Sequence, residues 1–435
     1  MAARADEQNC SVFELKMGFD YAGIVPTLLG LFARGCINRI WPVAGASANF
    51  LRDLMAKDAT KAAITRDPIL VDLALQGGGS HGAFTWGVLD RLLEESWLRI
   101  DGISGTSAGA MNAAVLVDGH ARGGAAGART ALENFWLRVS EAARFSPLRR
   151  GPLDVILGRW TLDSSPIYVA MDLMSRLVSP YDMNPMGKNP LRAILAETIN
   201  FERLARAPTK LFITATNVRT GRGHVFRNNA VTPDVLLASA CLPTMFQAIK
   251  IDGEPYWDGG YSGNPTITPL IRECKSQDTI LVQINPVERE GSPRSASEIL
   301  NRLNEVSFNA VLLKELRMIA LLRQVADPGN SEGAQWAGMR IHRIASEMLT
   351  ELGASSKLNA EWEFFSLLRD EGRRSAQVFL ESHASDLGHR STLDLDVLLE
   401  QNTLGEQFYA EPAGPSNLNK YSVSDSVNPS SIYAR

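Results

Sequence analysis

Residues 69–82 read Ile-Leu-Val-Asp-Leu-Ala-Leu-Gln-Gly-Gly-Gly-Ser-His-Gly. The first seven, Ile69 to Leu75, are short, apolar and partly β-branched, the pattern of a strand buried on both faces. From Ala83 to Glu95 the spacing turns helical, with Phe84, Val88, Leu89, Leu92 and Leu93 on one face. The glycines between them therefore form a strand-to-helix turn. Glycine admits positive φ and close backbone approach, and a helix N-terminus concentrates unpaired N–H donors under a favourable dipole. Such a turn attracts negative charge, whether a phosphate or a developing oxyanion. Gly77, Gly79 and Gly82 also satisfy G-x-G-x-x-G, with Asp101 roughly where a ribose-binding acid would fall. A dinucleotide site and a plain tight turn thus both stand beside the oxyanion reading at this point.

The next motif favours acyl transfer. Leu98 to Ser104 can form a second short strand, and Ala108 to Val117 reads as a small-residue helix that ends by His120. Between them, Gly105-Thr106-Ser107-Ala108-Gly109 matches the G-x-S-x-G nucleophile elbow. The requirement is steric: glycines two before and two after the serine let the backbones pass closely and leave Oγ exposed. Read alone, the same serine could be a helix N-cap.

A serine hydroxyl needs a base. The six histidines are His81, His120, His224, His342, His383 and His389, and none sits in an obvious triad context. Asp258 is the better candidate. Ile249 to Gly260 reads as a hairpin ending in Asp258-Gly259-Gly260, where a carboxylate could meet a serine hydroxyl directly. The competing reading of Asp258 is a turn aspartate.

Taken together, these motifs resemble those of the patatin-like phospholipases, acyl hydrolases that use a Ser–Asp dyad. The resemblance runs from about Ile69 to Leu270. It includes the glycine-rich turn, the elbow, the D-G-G motif, and Ala238-Ser239-Ala240-Cys241-Leu242-Pro243, which looks like the family's A-S-x-x-x-P segment. The resemblance implies that Ser107 is the nucleophile and Asp258 the general base. It likewise implies an oxyanion hole from the amides of Gly77, Gly78 and Gly79, joined by Ala108, with Gly82, Gly105, Gly109, Gly259 and Gly260 supporting the motifs. One position departs from the family, which commonly carries Arg or Lys where this chain has His81. Either a permanent charge is dispensable there, or activity depends on protonation of His81, whose ordinary pKa is about 6.5. Replacement of Asp258 as base by His81 is the weaker third reading, because Asp258 is present.

The remaining sequence sets the boundaries. With 435 residues, 45% of them hydrophobic, the chain can bury a large core. A net charge of −4 and a pI near 6.0 give no reason to invoke nucleic acid. Cys10, Cys36, Cys241 and Cys274 form no metal or redox motif and suit reduced thiols in a cytoplasmic protein. No secretory signal is visible, and no stretch is long enough to span a bilayer. Tyr21 to Ala33, with Ile37, Ile40, Trp41 and Val43 beyond, could dock on a membrane surface or on the catalytic domain.

The expected organisation is an N-terminal helical or amphipathic extension (1–66), a catalytic domain (67–290), a C-terminal helical region (291–411) and a disordered tail (412–435). Within the catalytic domain, an apolar insert at 136–189 could cover the site as a lid or be ordinary core. Long amphipathic helices are expected over 295–325 and 360–383; they could pack on the sheet or mediate self-association as a homo-oligomer. A further core strand is expected over 279–284.

The fold class is α/β: a three-layer α/β/α sandwich with a central, largely parallel sheet and helical additions at both ends. No metal or organic cofactor is required by the expected chemistry. Two other classes stay open, a catalytically silent lipid-binding or scaffold protein and a dinucleotide-dependent enzyme. Phospholipid, neutral lipid, acyl thioester and storage polyester all remain eligible substrates.

Overall fold

The computed structural model describes residues 66–397, apart from 145, 328 and 330. The expected tail (412–435), and all of the N-terminal extension except residue 66, lie outside the described residues.

Among the described residues, eight strands form one sheet: β1 (Ile69–Leu75), β2 (Leu98–Gly105), β3 (Lys210–Asn217), β4 (Gly223–Arg227), β5 (Ile249–Ile251), β6 (Glu254–Asp258), β7 (Asp278–Val282) and β8 (Arg340–Ile344). Their order is β5-β6-β3-β2-β1-β7-β8, with β4 also paired to β3. The pairs β3–β2, β2–β1, β1–β7 and β7–β8 are parallel, while β4, β5 and β6 join antiparallel. The sheet is largely parallel, as expected. Strands β3, β4 and β8 lie outside the sequence-based expectations, although Leu-Phe-Ile-Thr-Ala-Thr in β3 has the β-branched character of a buried strand.

Alternation along the strands divides the core into two layers. Val71, Leu73 and Leu75 of β1, Leu211 and Ile213 of β3, and Ile280 and Val282 of β7 face one buried cluster. Ala74, Phe212 and Leu281, their alternates, face the other. Helices cover both faces, which is why β1 reads as a continuous apolar run.

The helices that matter to the site are α1 (Gly82–Leu92), α2 (Ala108–Ala142), α3 (Pro166–Leu177), α4 (Pro233–Ser239), α5 (Ala296–Val325) and α6 (Trp362–His383). The elbow helix ends close to His120, as expected: Gly123 and Gly124 have non-helical backbone (Gly124 at φ 61°), and there the chain turns back, so α2 is two helical arms, 108–122 and 125–142. A Cβ on Gly119 would lie 2.7 Å from Ala131 Cβ, so the two arms pack as a tight hairpin. Trp136 Nε1 donates to Asn112 Oδ1 across the arms at 3.0 Å.

Residues 291–397 are not only helical. Strand β8 extends the sheet beside β7, and α6 lies against α1 with backbones in contact. A Cβ on Gly87 would come within 1.9 Å of the Arg369 carbonyl oxygen, and one on Gly372 within 2.1 Å of the Phe84 carbonyl oxygen. On the opposite face, α5 starts with a capping box of Ser295 and Glu298 and buries Leu312, Leu316 and Ile319. The boundary expected near residue 290 therefore does not separate two bodies. Residues 67–397 share one sheet and its two cores.

One topological detail positions everything that follows. Strand β3 pairs with β4 along one edge, at Phe212 through Thr216. Its other edge is shared: β2 takes Lys210 to Ile213, and β6 takes Ala215 to Asn217 from the opposite direction. Strands β2 and β6 therefore run head-on toward each other. Gly105 ends beside Ile213 and Asp258 ends beside Ala215.

Candidate active site

Ser107 follows β2 by two residues and precedes α2. Its backbone sits at φ 55° and ψ −122°, a conformation that costs a non-glycine residue about 1–3 kcal/mol. Three contacts hold it there. Its N–H donates to Ser239 Oγ at 2.9 Å, Ser239 in turn donates to the Thr214 carbonyl at 2.7 Å, and Thr106 Oγ1 donates to the Gly263 carbonyl at 2.7 Å. The flanking glycines are sterically required. A Cβ on Gly109 would lie 2.2 Å from the Leu75 carbonyl oxygen, and one on Gly105 would lie 2.6 Å from that of Gly109.

The glycine turn lies directly against this elbow, where a Cβ on Gly77 would reach 2.5 Å from Ser107 Cβ. Gly77 is also clamped: its N–H donates to Asn264 Oδ1 and its carbonyl accepts from Asn285 Nδ2, both at 2.7 Å. Gly77 therefore cannot also donate to an oxyanion, which corrects the expected set of three glycine amides. Gly78, Gly79 and Ala108 line the same cavity as Ser107, and among the described residues nothing accepts from their N–H groups. Gly79 adopts φ 58°, the left-handed region that favours glycine.

Asp258 closes the site from β6. It is 1% exposed, and Gly260 N–H donates to its Oδ1 at 2.7 Å. Burial pushes its carboxyl up to about 7, against the opposing pull of the Gly260 amide and the Ser107 hydroxyl beside it. Gly259 and Gly260 let the chain turn where β3 leaves no room, since a Cβ on Gly259 would lie 2.1 Å from the Thr214 carbonyl oxygen.

Ser107, Asp258 and the free amides share a cavity of about 450 Å³. Most of its wall is apolar, including Met111, Phe135, Val139, Leu191, Ile194 and Phe365. From the 136–189 insert, Trp136, Val139, Ala142, Ala143, Ser146, Leu148 and Asn189 contribute. Helix α3, also within it, does not line the cavity and leaves Leu173 and Leu177 exposed.

His81 is elsewhere. It is buried beneath the turn, where its Nε2 lies 2.7 Å from Ser356 Oγ and its ring meets Phe364 edge-on. Burial, and then the neighbouring Lys357 and Arg289 charges, hold it well below the usual histidine range. The ring thus lies outside the cavity and favours its neutral form, which weighs against an activity switched by His81 protonation. Among the described residues that line the cavity, one is basic, Lys357, from the 3-10 turn Ala354–Leu358. His224 packs on Phe226, and His342 bonds Asp278 inside the fold. His120, His383 and His389 do not line the cavity either.

Asp101, the candidate ribose ligand, sits in the first half of β2, 3.8 Å from Lys210 Nζ and away from the glycine turn. With Asp72 and Cys274 it forms the one potential metal-binding group among the described residues. Burial raises the Asp72 carboxyl to about 8 and pushes the Cys274 thiol up, so both favour their neutral forms without a metal. The signals missed by sequence reading are Asn264, Asn285, Ser356 and Lys357, which carry no local motif.

The patatin-like phospholipase family model matches residues 73–271, spanning β1, the glycine turn, the elbow and Asp258. The chain carries a patatin-like phospholipase domain. Among solved structures, the crystal structure of VipD from Legionella pneumophila aligns over 80% of this chain and 81% of its own at 13% identity. Its TM-score of 0.30 is too low to support any argument from it. No curated protein matches the sequence. The patatin-like segment ends before α5, β8 and α6, so Lys357 and the anchor of His81 come from outside it. Among the described residues, no helix is long and apolar enough to cross a membrane.

Proposed function

We propose that this protein hydrolyses carboxylic esters of lipids through Ser107 and Asp258. The observation that carries the reading is the head-on meeting of β2 and β6, which brings a strained serine beside a buried carboxylate in one apolar cavity. Asp258 takes the proton of Ser107 Oγ as it attacks the ester carbonyl. The tetrahedral oxyanion is received by the amides of Gly78, Gly79 and Ala108, donors already aimed into the cavity that holds Ser107. The alcohol departs with the proton, leaving an acyl-enzyme, and Asp258 then activates water to release the acid. An apolar cavity of this size suits an acyl chain.

Peripheral contact with a lipid surface belongs to the same proposal. The insert exposes Ile156 (80%), Met186 (74%) and Leu177 (72%), apolar side chains that could enter a lipid surface.

The test is turnover of p-nitrophenyl esters of increasing chain length by wild type, Ser107→Ala and Asp258→Asn, each checked by circular dichroism. Loss of turnover in both folded variants supports the dyad. Variants that match wild type would remove it and bring the silent lipid-binding alternative forward.

A further inference from the structure

We propose that Lys357 and Asn285 act on the reaction from behind the glycine turn: Nζ, the Asn285 amide and the Gly77–Gly78 peptide form a relay that fixes and polarises the Gly78 N–H, a donor offered to the oxyanion. The inference rests on the acyl-hydrolase reading above and names two positioning residues that set the strength of its oxyanion hole.

The relay has three links. Lys357 Nζ donates to Asn285 Oδ1 at 2.8 Å, and Asn285 Nδ2 donates to the Gly77 carbonyl at 2.7 Å. These contacts also fix which way the Asn285 amide faces, because an ammonium only donates and a carbonyl only accepts. The third link is covalent. The Gly77 carbonyl and the Gly78 N–H belong to one trans peptide, where they point in opposite directions. Asn285 is fully buried and does not line the cavity that holds Ser107, whereas Gly78 does. With its carbonyl turned to Asn285, this peptide directs its N–H away from Asn285, and among the described residues nothing accepts from it.

Further contacts keep the peptide from rotating. Gly77 N–H donates to Asn264 Oδ1 at 2.7 Å. The N–H groups of Ile284 and Asn285 donate to Gln76 Oε1 at 2.9 and 2.8 Å, which ties Asn285 to the residue that opens the turn. A Cβ on Gly78 would lie 2.6 Å from Ile284 Cγ2, so the two segments lie flush.

Lys357 meets a neutral amide, while Glu305, the acid whose charge reaches it, is held by Arg289 at 2.7 Å and Arg302 at 3.2 Å. A charged donor polarises the amide that accepts from it, and chains of hydrogen bonds strengthen one another where the dielectric is low. The last donor in this chain is the Gly78 N–H. Its gain appears only as negative charge develops on the substrate oxygen, so it lowers the barrier without tightening substrate binding. Both residues lie beyond the patatin-like segment, so the later part of the chain tunes a site built in the earlier part.

The experiment measures kcat and KM for a p-nitrophenyl ester across pH 6 to 9 with full-length wild type and Lys357→Met, which keeps the side-chain length and removes the donor. Losing an oxyanion donor outright costs about 10²–10³-fold in kcat, so depolarising one is expected to cost about tenfold. Lys357→Met should lose that factor in kcat at pH 7 with KM unchanged. Burial lowers Lys357 to about 8, with Glu305 opposing and Arg289 reinforcing the shift, and the adjacent His81 favours its neutral form. Wild-type kcat should therefore fall as pH rises through about 8, and Lys357→Met should lack that limb while keeping the rising limb of Asp258. A long-chain trifluoromethyl ketone, whose adduct with Ser107 carries an oxyanion, should bind Lys357→Met more weakly by the factor lost in kcat, and the corresponding alcohol should bind both proteins equally.

An unchanged kcat, a loss confined to KM, or equal weakening of ketone and alcohol overturns the relay. Should Lys357→Met not fold, wild type decides: its affinity for the ketone must drop through about pH 8 while that for the alcohol stays flat, and two flat profiles overturn the inference. Ser107→Ala is the separate control, because full turnover in that variant would sink the acyl-hydrolase reading itself, independently of Lys357.

Discussion

His81 donates its Nε2–H to Ser356 Oγ at 2.7 Å. The direction follows from Ser356, whose hydroxyl is itself donated to the Gly353 carbonyl at 2.6 Å and can only accept from the ring. The residue after Ser356 is Lys357. The histidine therefore does not replace a cation in the glycine turn. It anchors a segment from more than 270 positions later that brings a cation to the cavity.

Acid-side loss of activity should belong to Asp258 and not to His81. The carboxylate is the active form, and burial raises its pKa to about 7, so kcat/KM on a neutral ester should climb as pH rises through about 7. Gly260 N–H, the Ser107 hydroxyl, Tyr261 and Cys241 are the polar groups around it. In His81→Gln the midpoint of that limb should stay put. A midpoint displaced toward or beyond the histidine range would show that His81 titrates in the mechanism after all.

Asp258 should also make the protein less stable when ionised. Its folded pKa lies above its ordinary value of 3.8, so the fold favours the neutral acid. Relative stability is full below pH 4, declines as pH rises toward 7, and levels off above it. Asp258→Asn should accordingly raise Tm at pH 8, by an amount equivalent to a few kcal/mol, and have little effect at pH 4. Thermal melts at the two pH values test this; an equal shift at both would point to packing instead of charge.

Ser239→Ala should impair the elbow without touching the substrate. It removes the acceptor of the partly buried Ser107 N–H and the donor to the buried Thr214 carbonyl. Leaving such groups unpaired costs about 1–3 kcal/mol. The expected result is a kcat lowered at least tenfold with KM nearly unchanged, since the defect lies in holding the nucleophile at positive φ. A defect confined to KM would place Ser239 in substrate binding.

Gly77→Ala should be more severe. The added methyl would meet Ser107 Cβ at 2.5 Å and the Thr106 carbonyl oxygen at 2.7 Å, both fixed by the elbow. Loss of fluorophosphonate labelling at Ser107 in a protein that retains its circular dichroism is the expected outcome. Normal labelling would mean that the turn and the elbow can separate.

The sequence by itself determined the local geometry of this protein. The apolar run of Ile69 to Leu75, the glycines at 77–79, 105 and 109, and the hairpin before Asp258 each encode a backbone conformation through their own sterics, and short-range sterics are legible in order and spacing. The tertiary structure alone decided which polar groups meet. Asn264 takes the amide of Gly77, and Ser239 takes that of Ser107. The sharing of one β3 edge by β2 and β6 sets Asp258 beside the serine, and Lys357 reaches the cavity from beyond the patatin-like segment. Such pairings join residues up to hundreds of positions apart. They depend on strand order and helix packing, which no local periodicity records, and so they appear only when the sheet closes and its two layers of helices are in place.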